Sequence, residues 1–595
     1  MNAPRAEIFD RLIGLETEYA PRFSPLDPTT ETPLSYSLYE SLAVELGRRL
    51  PTAPARHFKE GRFLATGGAL WFESVDAVNG LMEGATPECR SPRQLLTWQR
   101  GQDRLLSEAA IASRHDGRFT LIKNDRDSRG AVYGAQENYE AVVARGVWLF
   151  LWRAGLVAIF PLVLLYRVSL LLLYLAMSGY FLAAGLLCVT ASVLLRRGDA
   201  LSQVLLGRHM LDEGEPWVFP RWLSVVISIV ERANLAPLAV SMYVLARLTA
   251  FRQLRRGLLP LLVSRAVVCG AGMVDEQDRF HLADKASGIN CLVGFGGFLR
   301  DHPLFSFGHF LKAMFGEGGF TLRGYFELFR RRQRLQIALG DSNMCQRAEY
   351  LRIATTLLVI DAIEAGHLRR PPRVVRALRT LHRVASDASL NCEIRLSDGG
   401  RPTALEVQRY YLNACRRFLQ TQPQAPDEAW ETLHLWEDTL DQLEEAPQTL
   451  LGAVDWVTKL FLLGEAGVDA AWEQRKKIDL RYHELSPEGY HRRLADAGQV
   501  ELLLDEEEIE RATRIPPSDS PASTRGRYIR EFAGGLAPIR ASWSTIYLRR
   551  GRATQRIRLT DARRDRQARS AQLPERREAE QDDAPDDHFD GPFFW

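Results

Sequence analysis

The residues with the clearest capacity for chemistry lie in the stretch LIKNDRDSRGAVYGAQENY, residues 121–139. A short apolar run that ends at Lys123 is typical of the end of a β-strand. Asn124 and Asp125 begin a group of turn-forming residues, which places carboxylates and amides at that strand end. Mg²⁺ prefers oxygen ligands, and phosphates need a close approach to the backbone. The stretch therefore predicts part of a metal–nucleotide site, with a polar surface turn as the alternative.

Two carboxylates near the N-terminus follow a strand pattern. In IGLETEY, residues 13–19, Glu16 and Glu18 are two positions apart. Side chains of a strand alternate between its faces, so both acids point to the same side. Acids so placed repel each other, and a divalent cation is a usual reason to keep them together. A solvated sheet edge is the alternative interpretation.

Three more acids follow within the first ninety residues. A second strand-like segment, residues 63–73, ends at Glu73, and Glu83 and Glu88 come soon after it.

Further along, Arg265 lies inside the apolar run of residues 258–272, which we expect to be a buried strand-like element. A buried arginine needs an anionic partner, either a carboxylate or a phosphate.

Composition excludes several classes of protein. The chain has 595 residues, 76 Lys+Arg against 74 Asp+Glu, and a net charge of +2, so no global basic field argues for nucleic acid. Its seven scattered cysteines form no CxxC pair. They favour a reducing compartment over a disulfide framework or a structural zinc site. The N-terminus has no signal-peptide core, so the body of the protein is expected in the cytoplasm.

One apolar region departs from this picture. Residues 168–195 form 28 positions without a charge, enough for a membrane-spanning helix. Residues 147–166 are also apolar, whereas residues 222–246 contain Glu231 and Arg232. We expect a membrane hairpin that pairs 147–166 with 168–195 around Arg167. Pairing of 168–195 with 222–246 is the less favoured alternative, and a buried helical hairpin without a membrane is a further one. Soluble segments flank the region on both sides, so the number of crossings must be even. Deletion of residues 147–250 is expected to release a folded, soluble protein.

The remaining chain suggests the domain boundaries. Residues 333–349 predict a strand that ends at the polar corner of Asp341 and Asn343, followed by a helix, and residues 373–464 predict a series of helices. The predicted divisions are a catalytic domain in two parts, a membrane insertion between them, a small C-terminal domain and a disordered tail: 1–146 and 257–485, 147–256, 486–562, and 563–595.

Several motifs, in this order, resemble the family of Pup ligase and Pup deamidase/depupylase, relatives of glutamine synthetase. They include GLETEY, ATPEC, KNDRDSRGAVYGAQENY, LGDSNM, ALEVQR, DWVTK and PPSDSPASTRGRYI, and they cover most of residues 11–530. The resemblance implies an α+β fold, in which a glutamine synthetase-like, curved antiparallel sheet cradles ATP and is backed by helices, with a small C-terminal domain.

The resemblance also implies an activity. It indicates an ATP- and Mg²⁺-dependent ligase that phosphorylates the C-terminal glutamate of a small Pup-like modifier and joins it to substrate lysines. With the hairpin, the enzyme is expected at the cytoplasmic face of the inner membrane. Two alternatives stay open: a deamidating or depupylating hydrolase on the same fold, and a nucleotide-binding scaffold without turnover.

The family pattern assigns roles to particular residues. Glu73 stands where the family has a catalytic aspartate that acts as the base, and Gln136 stands where it has a histidine. The implied metal ligands are Glu16 and Glu18, joined by either Glu83 or Glu88, together with Glu137. The implied nucleotide-binding residues are Lys123, Asn124, Tyr133, Arg265, Asp341, Asn343 and Trp456.

Overall fold

The computed structural model describes most of the chain. The described residues are 8–56, 59–74, 80–113, 115–126, 132–195, 198–207, 220–296, 301–315, 322–368, 370–467, 469–535 and 538–561. The predicted disordered tail, 563–595, lies outside them.

Strands and helices alternate irregularly along the chain. The strands are β1 (Ile13–Pro25), β2 (Thr52–Pro54), β3 (Gly61–Leu64), β4 (Ala69–Ser74), β5 (Gly80–Ala85), β6 (Gly117–Ile122), β7 (Gln136–Val142), β8 (Met273–Val274), β9 (Phe280–His281), β10 (Cys291–Gly294), β11 (Pro303–Ser306), β12 (Arg332–Ile337), β13 (Ile539–Ala541), β14 (Thr545–Arg550) and β15 (Ala553–Arg558). The helices are α1 (Ser35–Arg49), α2 (Pro92–Ala112), α3 (Val147–Leu195), α4 (Gly198–Leu205), α5 (Arg221–Thr249), α6 (Arg252–Ser264), α7 (Ala266–Cys269), α8 (Lys285–Gly288), α9 (Gly308–Phe315), α10 (Arg323–Glu327), α11 (Gln346–Glu364), α12 (Ala377–Ala385), α13 (Ala404–Gln420), α14 (Asp427–Glu445), α15 (Asp455–Glu465), α16 (Trp472–Tyr482), α17 (Tyr490–Asp496), α18 (Glu506–Ala512) and α19 (Pro521–Phe532), with a 3₁₀ turn at Pro447–Leu450.

One large sheet organises the part of the chain outside the apolar insertion, called here the catalytic part after its predicted role. Its strand order is β10-β11-β12-β7-β1-β5-β4-β3-β2, with β6 also paired to β1. All of these pairs are antiparallel except β10 with β11. The predicted mainly antiparallel sheet is therefore present. It joins strands from both sides of the apolar insertion, since β7 pairs with β12.

Helices cover one face of this sheet. The Tyr19 hydroxyl of β1 donates a hydrogen bond to the Asp103 carboxylate of α2 at 2.7 Å, and Thr17 bonds Gln99 of the same helix. Because side chains alternate along β1, Glu16 and Glu18 point to the other face. The sheet thus separates a helix-backed side from the side that carries the acids.

Several predicted elements differ in detail. Residues 63–73 form the hairpin β3–β4 and not one strand, because Gly67 adopts a left-handed φ of 86° in the turn between them. Residues 258–272, expected to be strand-like, lie mostly in the helices α6 and α7. The strand, the helix and the later helices predicted after residue 333 are present as β12, α11 and α12 to α15.

The apolar insertion differs from the predicted hairpin. Residues 147–195 form one continuous 49-residue helix, α3, so the turn expected at Arg167 is wrong. α5 runs antiparallel to α3: Ser169 donates a hydrogen bond to Asn234 at 2.6 Å, and the rings of Tyr180 and Trp222 are 6.0 Å apart. The helical pair is therefore α3 with α5, the pairing that the sequence made less favoured. α3 and α5 are both long and apolar enough to cross a membrane, by length and composition.

The helix pair has two different environments along its length. Near the catalytic part, α3 packs into the main core through Trp152, Leu156, Ile159 and Val163. Trp152 also donates its indole N–H to the Leu328 carbonyl at 2.8 Å. Beyond residue 170, α3 exposes large apolar side chains on many sides: Leu171, Leu172, Tyr174, Leu175, Leu182, Leu186, Leu187, Val189, Val193 and Leu194.

Candidate active site

A cavity of about 550 Å³ lies on the acid-bearing face of the large sheet. Glu18 of β1 is directly opposite Glu83 of β5, and Glu83 is opposite Trp71 of β4. This register puts the acids on one face and brings them to the same cavity. The cavity lining contains four of the predicted metal or catalytic carboxylates and one predicted nucleotide-binding residue: Glu16, Glu18, Glu73, Glu83 and Tyr133.

Cations of the chain contact these carboxylates. The Lys59 ammonium lies 2.6 Å from a Glu83 carboxylate oxygen and 3.0 Å from one of Glu73. The Arg334 guanidinium of β12 lies 2.7 Å from Glu16. Each of these three acids therefore has a charged partner. Glu18 accepts a hydrogen bond from the Gly134 backbone N–H at 2.6 Å.

Burial changes the acidity of the two central carboxylates. The pKa of Glu18 is raised above its usual value, because burial disfavours its charged form more than the Lys285 ammonium favours it. The pKa of Glu83 is also raised by burial, which Lys59 opposes and the Glu73 carboxylate reinforces. An added positive charge in the cavity would therefore stabilise the ionised form of both carboxylates.

The cavity also supplies positive charge for an anionic ligand. Its wall includes five further cations besides Lys59 and Arg334: Arg56, Lys285, Lys312, Arg323 and Arg556. The pKa of Lys312 is lowered by burial and by the nearby Lys59 ammonium. A polyphosphate would relieve this repulsion between cations, because its negative charge stabilises their protonated forms.

Most of the other predicted site residues lie away from the cavity, in buried polar contacts. The Lys123 ammonium is 2.9 Å from Asp103 and 3.4 Å from Glu349. Asn343 donates to Asp455 at 2.9 Å, and the Trp456 indole donates to the Val267 carbonyl at 3.0 Å.

Two predicted residues support the cavity wall from behind. The Tyr133 hydroxyl donates to Asn124 at 2.8 Å, so Asn124 orients a side chain that lines the cavity. Asp341 accepts a hydrogen bond from the Lys285 backbone N–H at 3.0 Å. We assign both residues a positioning role.

Glu137 and Arg265 require a correction. Glu16 is opposite Gln136 in the register of β1 and β7, so Glu137 points to the helix-backed face. There it forms a buried two-point ion pair with Arg265, at 2.6 and 3.0 Å. Glu137 therefore cannot share an ion with Glu16 and Glu18, and the anionic partner of Arg265 is a carboxylate.

Glu88 also lies outside the cavity lining, where it pairs with the buried guanidinium of Arg525. The sequence left Glu83 and Glu88 as alternative third metal ligands. The geometry favours Glu83, because it is the one that shares a face and a cavity with Glu18.

The sequence reasoning missed the cations of the cavity. Arg334 lies two residues before Gln336 on β12, and this spacing puts both side chains on one face, where both contact Glu16. Period-two spacing was thus a usable signal for Arg334. Lys59 follows β2 in a loop and carries no comparable pattern.

The described residues contain no group of three or more His, Cys, Asp or Glu side chains that converge tightly enough to hold a metal ion. Glu16, Glu18 and Glu83 nonetheless share one face and one cavity, and all three offer the oxygen donors that Mg²⁺ prefers. The chemistry of this donor set suits one divalent ion beside Glu18, and the three carboxylates would have to move closer together to bind it; Glu73 and Glu83 already share the Lys59 ammonium.

Comparison with known proteins gives a consistent result. The family described as Pup-ligase protein matches residues 11–547. The chain is 32% identical to a depupylase of Acidothermus cellulolyticus over 323 residues, which are 51% of this chain and 59% of that protein. It is 30% identical to a Pup–protein ligase of Acidimicrobium ferrooxidans over 315 residues, 51% of this chain and 66% of that protein. The chain thus matches less than two thirds of the length of either relative.

Solved structures show the same fold. The ligase PafA in the crystal structure of its complex with the ubiquitin-like protein Pup has a TM-score of 0.63, with 18% identity over 93% of this chain and 89% of that one. PafA in complex with ADP has a TM-score of 0.57, with 17% identity over 93% of this chain and 98% of that one. These matches confirm the predicted fold class.

Proposed function

The chain belongs to the Pup-ligase family, and from that premise we propose that it is an ATP-dependent ligase that joins a small Pup-like modifier to lysines of other proteins. The observation that carries the proposal is the shared cavity of Glu16, Glu18, Glu73 and Glu83, ringed by cations. The complex of the family member PafA with ADP supports a nucleotide in this cavity.

The proposed reaction has two steps. The C-terminal glutamate carboxylate of the modifier attacks the γ-phosphorus of ATP, which gives an acyl phosphate and releases ADP. The amine of a substrate lysine then attacks the acyl carbon, phosphate leaves, and an isopeptide bond forms. The cavity cations orient and neutralise the phosphates, since phosphoryl transfer depends on positioning and charge stabilisation.

Glu73 is the proposed base of the second step. Its side chain is 37% exposed, against 17% for Glu16 and 9% for Glu83, so an incoming amine can reach it. It would accept the proton that the lysine nitrogen loses as the new bond forms. Mg²⁺ is part of the proposal: Glu18, with Glu16 and Glu83, would hold it. Bound there, it would supply positive charge to the phosphate oxygens.

The test uses the purified full-length chain with ATP, Mg²⁺ and a Pup-like modifier that ends in glutamate. We expect phosphate release and an adduct whose mass equals modifier plus target minus water. Glu73→Gln should keep nucleotide affinity within about threefold and lower adduct formation by about a hundredfold or more. Glu60→Gln, an exposed acid bonded to Tyr36, is the matched control. Full ligation by Glu73→Gln would exclude Glu73 as the base.

The second candidate is a hydrolase that cleaves the isopeptide bond between modifier and target, or deamidates a C-terminal glutamine of the modifier. It is favoured by the relatives named depupylase or Pup deamidase/depupylase, which are 29–32% identical to this chain over about half its length. The same preparation, incubated with a preformed adduct or with a modifier that ends in glutamine, separates the two activities. Cleavage or ammonia release without adduct formation would establish hydrolysis and contradict the ligase proposal.

We further propose that α3 and α5 anchor the enzyme to the cytoplasmic face of the inner membrane. Support comes from the exposed apolar surface on many sides of α3, since a single protein interface would cover only one stripe. Arg145 and the arginines at the start of α6 flank the base of the pair, in agreement with a cytoplasmic end.

Membrane extraction tests this anchor. We expect the full-length protein in the membrane pellet after alkaline carbonate washing and in solution only with detergent. Recovery in the soluble fraction as a defined oligomer would instead make the α3–α5 surface a protein interface.

A further inference from the structure

The side chain of Lys59 lies between two carboxylates of the cavity. Its ammonium bridges Glu83 of β5 and Glu73 of β4, at 2.6 and 3.0 Å. The side chain of Lys59 is only 20% exposed, although it comes from the loop between β2 and β3. A loop lysine has thus been folded back into the site.

The Lys59 ammonium stabilises the two carboxylates in the same way as a bound metal cation would. Two carboxylates on neighbouring strands repel each other, and an ammonium between them removes that repulsion. The Lys59 ammonium lies within ion-pair distance of both carboxylates and so fills the position between them.

The same loop contributes a second, different cation. Arg56 also lines the cavity, but its guanidinium stacks over the Tyr547 ring at 4.3 Å. Among the described residues, no acid pairs with Arg56 in the way that Glu73 and Glu83 pair with Lys59. Arg56 is therefore a matched reference for the loss of one positive charge from the cavity.

We propose that Lys59 is a built-in cation of the site, which holds the position between Glu73 and Glu83 and excludes a divalent metal ion from it. The inference deepens the proposed function and rests on the nucleotide site described there. It implies that the cavity works with the single divalent position beside Glu18, and that removal of Lys59 opens a second one.

The experiment measures Mn²⁺ binding to the full-length protein in detergent, without nucleotide, from the electron paramagnetic resonance signal of free Mn²⁺. Lys59→Met should bind at least one more equivalent of Mn²⁺ than wild type, or bind it about tenfold more tightly. Lys59→Arg, which keeps the charge, and Arg56→Met should both match wild type. Adding Glu73→Gln to Lys59→Met should remove the gain.

Mn²⁺ binding by Lys59→Met within threefold of wild type, at equal stoichiometry, would overturn the proposal. Lys59→Gln serves in place of Lys59→Met if circular dichroism shows that the methionine variant is unfolded. A fluorescent ADP analogue, titrated in parallel with Mg²⁺, tests the nucleotide site. If wild type binds none of it, the proposed function fails while the Mn²⁺ comparison still decides the role of Lys59.

Discussion

At the scale of single residues, the two faces of β1 and β7 separate function from stability. Glu18 faces the cavity, whereas Glu137 faces the buried helices and pairs with Arg265. Removing a cavity acid should change ligand binding, and removing one partner of a buried ion pair should change folding. The two glutamates make a direct test of this division.

We predict opposite phenotypes for Glu18→Gln and Glu137→Gln. Glu18→Gln keeps an oxygen that can accept the Gly134 N–H bond, so its melting temperature should stay near that of wild type while Mg²⁺-dependent nucleotide affinity falls. Glu137→Gln leaves the Arg265 charge uncompensated, which should cost about 3–5 kcal/mol of unfolding free energy. Denaturant unfolding and nucleotide titration measure both effects. Equal nucleotide affinity in Glu18→Gln and wild type would contradict the cavity assignment.

A second residue-scale prediction concerns His483. This histidine is buried, and its pKa is lowered well below the usual 6.5 by burial and by the nearby Lys459 ammonium. In the unfolded chain it titrates near its usual value of about 6.5, so unfolding takes up a proton below that pH. The stability that neutral His483 provides is present above pH 6.5 and is lost as the pH falls toward its lower folded pKa.

His483→Gln should therefore flatten the loss of stability on acidification. Below pH 6.5 the slope of unfolding free energy against pH should decrease by up to about 1.4 kcal/mol per pH unit, the value for one proton. Urea unfolding at pH 7.5, 6.5, 5.5 and 5.0 measures the slope. The exposed His434→Gln is the control and should keep the wild-type slope. Identical slopes for both variants would show that His483 is not the group responsible.

At the scale of elements, alternation was the most reliable guide from the sequence. The two-residue spacing placed Glu16 and Glu18 on one face of a strand, and β1 shows that face lining the cavity. Glu137 could not be placed in the same way, because its face depends on the register between β7 and β1. Lys59 was beyond prediction, since only the folded sheet brings its loop to Glu73.

Apolar runs were harder to interpret. Residues 258–264 form part of a buried helix, and a short apolar run does not distinguish a buried helix from a buried strand. Arg167 was read as a turn because it interrupts two apolar segments. The helix continues through it, since a single arginine breaks no backbone hydrogen bond of a helix.

The continuity of α3 can be measured directly. Spin labels at the exposed positions Phe150 and Leu187 are 37 residues apart, which is about 55 Å along one helix. A hairpin with a turn at Arg167 would bring them within about 20 Å, because packed helices lie about 8–10 Å apart. Double electron–electron resonance in detergent, with Cys291 and Cys392 replaced by serine, should give the long distance. A short distance would restore the hairpin.

At the scale of the whole molecule, the insertion enters and leaves the catalytic part at one point. The Phe251 backbone N–H donates to the Val143 carbonyl at 2.5 Å, and the Arg252 guanidinium lies 4.0 Å from the centre of the Trp148 ring. The start of α3 and the end of α5 are therefore on the same side of any membrane that the pair enters. α9 and α10, which pack against α3, also line the cavity through Lys312 and Arg323.

The core divides the helix pair into a docked and a projecting part. The core cluster includes Trp152 to Tyr166 of α3 and Leu238 to Ala246 of α5. Just beyond these core segments, Ser169 of α3 donates a hydrogen bond to Asn234 of α5. Since the helices are antiparallel, residues 167 and 236 lie across from each other. The expectation from the sequence that residues 147–250 can all be removed without harm does not agree with this packing.

We predict that only the projecting part can be deleted cleanly. Replacing residues 168–235 by a linker of about four glycines and serines should give a soluble protein that melts within a few degrees of the full-length chain and binds the same nucleotide analogue. Deleting 147–250 removes Trp152, Leu156, Ile159 and Val163 from the core. At about 1.5–3 kcal/mol for each buried apolar side chain, this loss should exceed 6 kcal/mol and give an aggregated or unfolded product. Size-exclusion chromatography, thermal unfolding and carbonate extraction compare the two deletions. If the shorter deletion still remains in the membrane pellet, the anchor lies outside residues 168–235. If the longer one folds as well as the shorter one, the docked part of α3 contributes nothing to the core.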